Sequence, residues 1–297
     1  MDNKYANFLC LALICSESFR NAADACMFVN FDNILFCCLL LCTILLIKDR
    51  YVVLIPILVS VVMLVHHGFG IFLFPALFII MVYYYLSKEE SQKSKILCLI
   101  LVTVLAVLIL FAYFQFHAHL NNKMTFPDAC RYISNYVRHE IPEGIDQMSS
   151  EELLQEDGYF LVNIKYILYN GKVNDFGIQN YTLTSVYNSL LLILYLLPVY
   201  ILLFYNFKAF KNHRGFEGIF AKVSPFCLII FLFSYMEVDY GRWNSCLILS
   251  LILGLLSALL INPEKSWISH IPEKYRELVC EGIVILMILV PNMGVWA

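Results

Sequence analysis

The sequence predicts an all-α fold of the polytopic membrane class, with about 8 transmembrane helices and one large extracytoplasmic loop. Hydrophobic residues fill 61% of the 297 positions and charged residues 14%, whereas soluble domains average about 45–50% and about 25%. The mean hydropathy is +0.74. This composition excludes a soluble globular domain and a disordered chain. The net charge of −3 provides no basic face for nucleic acid.

Eight apolar runs approach the roughly 20 residues that a helix needs to cross a bilayer core. These predicted spans cover residues 31–47, 51–65, 69–86, 96–116, 186–207, 223–239, 246–261 and 282–297. The continuous apolar run 51–86 is too long for one helix, and His66, His67 and Gly68 divide it into a predicted helical hairpin. Its tyrosine run 83–85 predicts an aromatic belt at the membrane interface.

The spans form an N-terminal bundle (31–116) and a C-terminal bundle (186–297), separated by an extracytoplasmic loop (117–185). Residues 1–30 are expected to form a short outer or interfacial segment. The apolar run 5–15 is too short to span a bilayer, and the segment does not read as a secretory signal peptide. The run fits either a partly inserted helix or a chain that lacks upstream helices, and we favour the second interpretation.

The basic residues of the connections predict the orientation. Four alternate connections hold 12 Lys and Arg in 47 positions: 48–50, 87–95, 208–222 and 262–281. The other connections hold 6 in 78 positions: 66–68, 117–185 and 240–245. Because cytoplasmic loops carry an excess of Lys and Arg, the first set is predicted to face the cytoplasm. The long loop then lies outside the cytoplasmic (inner) membrane.

The long outer loop is predicted to contain short helices, because structureless loops of this length are uncommon. Residues 125–128 (Thr-Phe-Pro-Asp) read as a helix start. Arg131 and Arg138 follow seven residues apart, which places them on one helix face. A second short helix is predicted from Ser149, with acidic residues in its first turn.

Two polar motifs are predicted to share the outer face with this loop. The first, 65–70, joins the hairpin helices, and the second, 237–243, is predicted as a turn between two later spans. Ionisable groups at membrane depth cost about 2.5–3.5 kcal/mol on insertion scales and usually face a cavity or a partner. Ordinary structural roles stay open for the same residues, namely a polar helix cap, an aromatic membrane anchor and a solvated helix face.

The two motifs resemble those of bacterial surface-polysaccharide polymerases of the O-antigen and exopolysaccharide type. Such proteins have a His-(Glu)-x-Gly-Phe turn after an early helix, a large outer loop and a late Asp-x-Gly-Arg-Trp turn. The matching residues are Val65-His66-His67-Gly68-Phe69-Gly70 and Val238-Asp239-Tyr240-Gly241-Arg242-Trp243. The resemblance covers the layout of residues 28–262 but only these two motifs in sequence, and His67 stands where the family pattern has an acid.

The resemblance implies a glycosyltransferase that polymerises undecaprenyl-diphosphate-linked oligosaccharide units on the outer face, for O-antigen, exopolysaccharide or capsule. The lipid diphosphate is the leaving group, so no cofactor and no metal is implied. The eleven cysteines also give no indication of a metal site, since they show neither a CxxC pair nor zinc-ligand spacing. The implied partners are the lipid-linked oligosaccharide, membrane lipid and a chain-length regulator.

The resemblance and the chemistry together suggest residue roles. The catalytic candidates are His66 as first choice of base, Asp239 as second, and Arg242 to stabilise charge on the diphosphate. The substrate-binding candidates are His67, Arg131, Arg138, Glu237, Tyr240 and Trp243. Arginine suits diphosphate because its guanidinium donates bidentate hydrogen bonds, and aromatic rings suit sugar faces.

Three other functions remain open from sequence. A membrane O-acyltransferase acting on surface glycans would also use a histidine base, but should show polar residues deeper in its spans. A polysaccharide transporter or flippase should show midplane polar residues and repeat symmetry, whereas the ionisable groups here cluster toward one face. A purely structural membrane subunit needs neither feature.

Overall fold

A computed structural model describes residues 4–16, 31–65, 69–120, 147–149, 152, 155, 183–228 and 240–289. For residues 31–33, 71–72, 115–120, 183–189 and 240–245 it describes the backbone alone. The described residues are helical and contain no β-strand, which confirms the predicted all-α class. The chain divides into two units, one of Met1–Leu110 with Thr184–Ala297 and one of Phe111–Leu183.

The helices of the described residues are numbered in chain order. They are α1 (Lys4–Cys15), α2 (Phe31–Lys48), α3 (Ile55–Val65), α4 (Phe69–Phe72), α5 (Phe74–Leu86), α6 (Glu90–Leu120), α7 (Leu183–Lys208), α8 (Phe216–Val223), α9 (Tyr240–Ile261) and α10 (Glu273–Leu289). Short 3₁₀ turns lie at Val52–Leu54, Pro263–Lys265 and Trp267–His270.

Two of these helices are long and apolar enough to cross a bilayer, which indicates membrane association. Helix α6 has 31 residues and α7 has 26, and an α-helix rises about 1.5 Å per residue. Pro198 lies inside α7, a position that membrane helices tolerate better than soluble ones.

Helices α5 and α9 form the centre of the first unit. Eleven of the thirteen residues of α5 are buried, and in α9 the run from Cys246 to Leu253 is buried throughout. The surrounding helices α2, α3, α6 and α7 bury one face and expose apolar side chains on another, including Leu41, Val61, Leu105 and Leu194. A helix that is apolar all round suits a lipid environment.

The N-terminal helix α1 packs along α9 and α10, and Leu9 and Ala12 are fully buried there. Lys4, the first residue of α1, pairs with Glu277 of α10. This exposed ion pair adds little stability, and the buried apolar face holds α1. The contact with Glu277 places the start of α1 beside the connection 262–281.

The apolar run predicted as a helical hairpin has a further break within its second half. The predicted span 69–86 consists of α4 and α5, which are separated at Leu73, because Pro75 at the start of α5 lacks an N–H and favours a first helical turn. Gly70 makes a close approach: a Cβ there would lie 3.2 Å from Val107 Cγ1 and 3.3 Å from Met63. The glycine therefore lets α4 sit tightly against α3 and α6.

The second unit is described at few positions. Ser149 N–H donates to Glu152 Oε2 at 2.7 Å, and Glu152 N–H donates to Ser149 Oγ at 3.2 Å. This reciprocal pair is a capping box, in which two side chains satisfy the free amides of a first helical turn. It confirms the helix start predicted at Ser149.

Candidate functional site

The sequence-predicted site residues fall largely outside the description of the structure. Those outside the described residues are His66, His67, Arg131, Arg138, Glu237 and Asp239. Tyr240, Arg242 and Trp243 belong to α9, where the backbone alone is described. The prediction of a turn was wrong for residues 240–245, because they continue the helix of the apolar run that follows them. The proposed roles of all nine residues stay predictions.

The connections with most Lys and Arg converge at one end of the first unit, which we call the basic end (residues 48–50, 87–95, 208–222 and 262–281). Lys88 Nζ donates to Asp49 Oδ2 at 2.5 Å, and Tyr84 donates to the same carboxylate. Tyr83 Oη donates to Asn262 O at 3.0 Å. These bonds tie together connections that are far apart in sequence, as expected if all four face one compartment.

Asp49 reaches this position through an unusual backbone. Asp49 and Tyr51 both have φ of 54°, in the left-handed region that few residues other than glycine adopt and that Asp tolerates best. The tight turn after α2 thereby presents the carboxylate to Lys88 and Tyr84. Burial disfavours the carboxylate, but the hydrogen bonds from Lys88 and Tyr84 outweigh it and lower the pKa of Asp49.

A second network surrounds a buried lysine at the start of α6. Lys93 is 7% exposed, and its Nζ lies 2.6 Å from Glu90 Oε1 and 2.7 Å from Glu217 Oε1. The other oxygen of Glu217, Oε2, lies 2.6 Å from His213 Nδ1. Since an unpaired buried charge is strongly unfavourable, these contacts hold the first turn of α8 against α6.

The sequence around Glu217 explains its placement. Gly215 precedes α8 with φ of 65° and ψ of −144°, a conformation open almost only to glycine. This turn leads directly into α8, whose second residue, Glu217, is directed at Lys93 and His213. Phe220, one turn later, packs edge-on against Tyr85 and Phe78 of α5, with ring centroids 6.1 and 6.5 Å apart.

A cluster of uncharged hydrogen-bonding groups around Trp267 also lies at the basic end. Trp267 is fully buried; its backbone N–H donates to Asn206 Oδ1 at 2.9 Å and its indole Nε1–H to Leu255 O at 3.2 Å. Tyr83 lies nearby, edge-on to Phe207 and Phe210. The tyrosines of residues 83–85 are thus buried inside the basic end, and the predicted interfacial belt was wrong.

The chemistry available at the basic end is ion pairing and hydrogen bonding. Among the described residues, no group of three or more His, Cys, Asp or Glu side chains is placed to hold a metal ion. The acids that the network contains are each directed at a lysine or a histidine. We therefore assign the basic end a structural role, in which it fixes the helices that lead to the opposite end.

Acidification should weaken this network through Glu217. Burial disfavours its charged form, but hydrogen bonds from His213 and Lys93 and the charge of Lys93 lower its pKa below the usual 4.5. A lowered carboxyl pKa stabilises the fold above the unfolded pKa, and this contribution is lost as pH falls toward the folded pKa. We expect thermal stability in detergent to fall between pH 6 and pH 4 by more for the wild type than for Glu217→Gln. If the wild type and Glu217→Gln lose the same stability over this pH range, Glu217 does not contribute to the network as described.

Removing one partner of the buried ion pair should cost more than removing both. Lys93→Met is expected to lower the free energy of unfolding by about 2–3 kcal/mol, since Glu217 loses a partner. The double variant Lys93→Met, Glu217→Leu should recover most of that loss, because an apolar pair carries no desolvation penalty. Denaturation in mixed detergent measures the free energy of unfolding of each variant. If the double variant loses as much stability as Lys93→Met and Glu217→Leu lose in sum, the two residues are not coupled.

Comparison with known protein families, curated protein sequences and solved structures gives no match for this chain. Within the part of the chain that the structure describes, the class is all-helical, and two helices there are long and apolar enough to cross a membrane.

Proposed function

We propose that the chain is a multi-pass protein of the cytoplasmic membrane, with the eight predicted spans and the loop 117–185 on the outer side. One observation supports this orientation, and a second supports the location in a membrane. The four connections richest in Lys and Arg lie together at the basic end, as expected of cytoplasmic loops. Helices α2, α3, α6 and α7, which surround α5 and α9, expose apolar side chains that lipid would cover.

In this proposal the chain polymerises undecaprenyl-diphosphate-linked oligosaccharide units for a surface polysaccharide. The observation that carries it is the direction of two helices. Helix α3 leads away from the basic end and stops at Val65, and α9 starts at Tyr240 and returns to the basic end at Ile261. Val65 begins the first motif and Tyr240 belongs to the second, so chain connectivity supports a common location for the two motifs on the outer face.

The proposed reaction joins two lipid-linked chains. A hydroxyl of the acceptor sugar attacks the anomeric carbon of the donor, and the bond from that carbon to the diphosphate oxygen breaks. His66 takes the hydroxyl proton, with Asp239 as the alternative base. Arg242, joined by Arg131 and Arg138, stabilises the charge of the departing undecaprenyl diphosphate.

The test replaces Arg242 in a polymer-producing strain that carries this gene as its only copy. Arg242→Ala should leave surface glycans as single repeat units, and Arg242→Lys should restore chain length only partly, because lysine lacks the bidentate fork. Gel electrophoresis of surface glycans measures the length, and membrane fractionation measures insertion.

The matched control is Arg50→Ala, which removes an exposed arginine at the basic end. This variant should keep wild-type glycan length. Long glycans in the Arg242→Ala strain would refute the polymerase, and unchanged length with loss of glycan acyl groups would support an O-acyltransferase instead.

A further inference from the structure

Helix α8 and the short turn that follows it carry a line of apolar side chains that stay more than half exposed in the described structure. Phe216, Ile219 and Val223 of α8 have exposed fractions of 68%, 54% and 59%, and Phe226, three residues after the helix, is 55% exposed. Their spacing of three, four and three residues places them along one side of a helical segment. We call these four residues the α8 apolar face.

The orientation of this face is fixed by what lies behind it. Gly218 and Ala221 are buried, Phe220 packs on α5, and Glu217 reaches inward to Lys93. A rotation of α8 that buried the apolar face would break the buried ion pair. The exposure is therefore built into the fold.

Basic residues lie close in sequence to the α8 apolar face, before it and within it. Between residues 208 and 226 four cationic side chains are exposed: Lys208, Lys211, Arg214 and Lys222. The single acid of this segment is Glu217, which pairs with Lys93 and His213. The exposed surface is thus apolar along one line and positive at its margins.

We propose that the α8 apolar face lies in the headgroup region of the cytoplasmic leaflet and that its flanking cations bind anionic phospholipid. An amphipathic helix with aromatic and aliphatic residues on one side and Lys or Arg beside them is the pattern that binds this interface. Basic side chains close to an anionic leaflet add attraction. A lipid surface satisfies both the apolar line and the positive margins.

Continuity with a membrane-length helix favours lipid over a protein partner. Phe226, at the end of the apolar face, packs against Phe204 of α7 with ring centroids 5.2 Å apart, and α7 is one of the two helices able to cross a bilayer. The α8 apolar face therefore continues the apolar surface of α7. This inference rests on the proposed membrane orientation but not on the proposed glycan chemistry.

The first test uses a photo-crosslinking benzophenone amino acid in the full chain, reconstituted in nanodiscs that contain phosphatidylcholine and phosphatidylglycerol. The probe at Phe216 or Phe226 should give phospholipid adducts by mass spectrometry. The same probe at Phe210, which is fully buried, should react within the chain. Protein adducts at Phe216 in cells, without lipid adducts, would overturn the proposal and indicate a partner or a second copy.

The second test measures phosphatidylglycerol retained through purification. The triple variant Lys211→Gln, Arg214→Gln, Lys222→Gln should retain less by at least about fivefold. The matched control removes the same charge from exposed residues elsewhere at the basic end, by Arg50→Gln, Lys265→Gln and Lys274→Gln. Equal loss of phosphatidylglycerol in both triple variants would overturn a site at α8.

Reporter fusions at residue 215 test the membrane orientation separately. Neither triple variant needs to change glycan length.

Discussion

Replacing Gly218 with alanine is expected to dismantle the contact between α8 and the rest of the basic end. A Cβ at this position would lie 2.1 Å from the backbone oxygen of His213 and 3.2 Å from its carbonyl carbon. Backbone atoms cannot give way as the end of a flexible side chain can, so the turn before α8 must move. His213 would then leave Glu217, which it contacts at 2.6 Å.

The expected loss is about 2–3 kcal/mol in the free energy of unfolding, in the range for overpacking a well-packed site. Helix-to-coil transitions in detergent, followed by far-UV circular dichroism, measure it. A second readout is specific: the extra stability of the wild type at pH 6 over pH 4 that comes from Glu217 should shrink in Gly218→Ala, because the turn that carries His213 has shifted.

Gly282 supplies the control for this substitution. It also lies inside a helix, α10, but a Cβ there would meet no atom within 4 Å. Gly282→Ala should therefore stabilise the protein by about 0.5–1 kcal/mol, the ordinary gain in helix propensity. The two substitutions are chemically identical and are expected to have opposite signs. If both lower stability alike, the close approach at Gly218 is not the cause.

Hydropathy predicted the helices well where one apolar run makes one helix. The runs 31–47 and 186–207 correspond closely to α2 and α7, because each helix ends at the lysine that closes its apolar run, Lys48 or Lys208. It predicted α10 poorly. This helix begins at Glu273 rather than at residue 282, since its first turns carry Glu, Lys and Arg that read as a polar loop.

The bias of Lys and Arg also predicted that four connections would share one end, and their contacts join them there. The contacts within that end were beyond sequence reasoning. Lys93 and Glu217 are 124 residues apart, and no local pattern links two such positions. Tyr83 was misread for a similar reason: a tyrosine at a helix end looks interfacial until its partner, Asn262, is known.

Replacing Trp267 should have the largest effect on stability. Trp267→Ala removes a fully buried indole, and substitutions of this kind cost about 3–5 kcal/mol. It also leaves Leu255 O without its indole donor. Trp267→Phe keeps most of the volume and loses that hydrogen bond, so it should cost about 1–3 kcal/mol. Unfolding in mixed detergent, without guanidinium, measures the stability of the two Trp267 variants.

The control is Tyr275→Ala, which truncates an aromatic residue that is 46% exposed in α10 and should change stability by less than about 0.5 kcal/mol. Backbone contacts give a second criterion. Trp267 N–H binds Asn206 whatever the side chain, so Asn206→Leu should destabilise Trp267→Phe about as much as it destabilises the wild type. If Trp267→Ala proves as mild as Tyr275→Ala, the junction of α7 and α9 does not depend on the buried indole. The basic end would then be held by its ion pairs, its backbone-linked hydrogen bonds and the packing of Phe220 on α5.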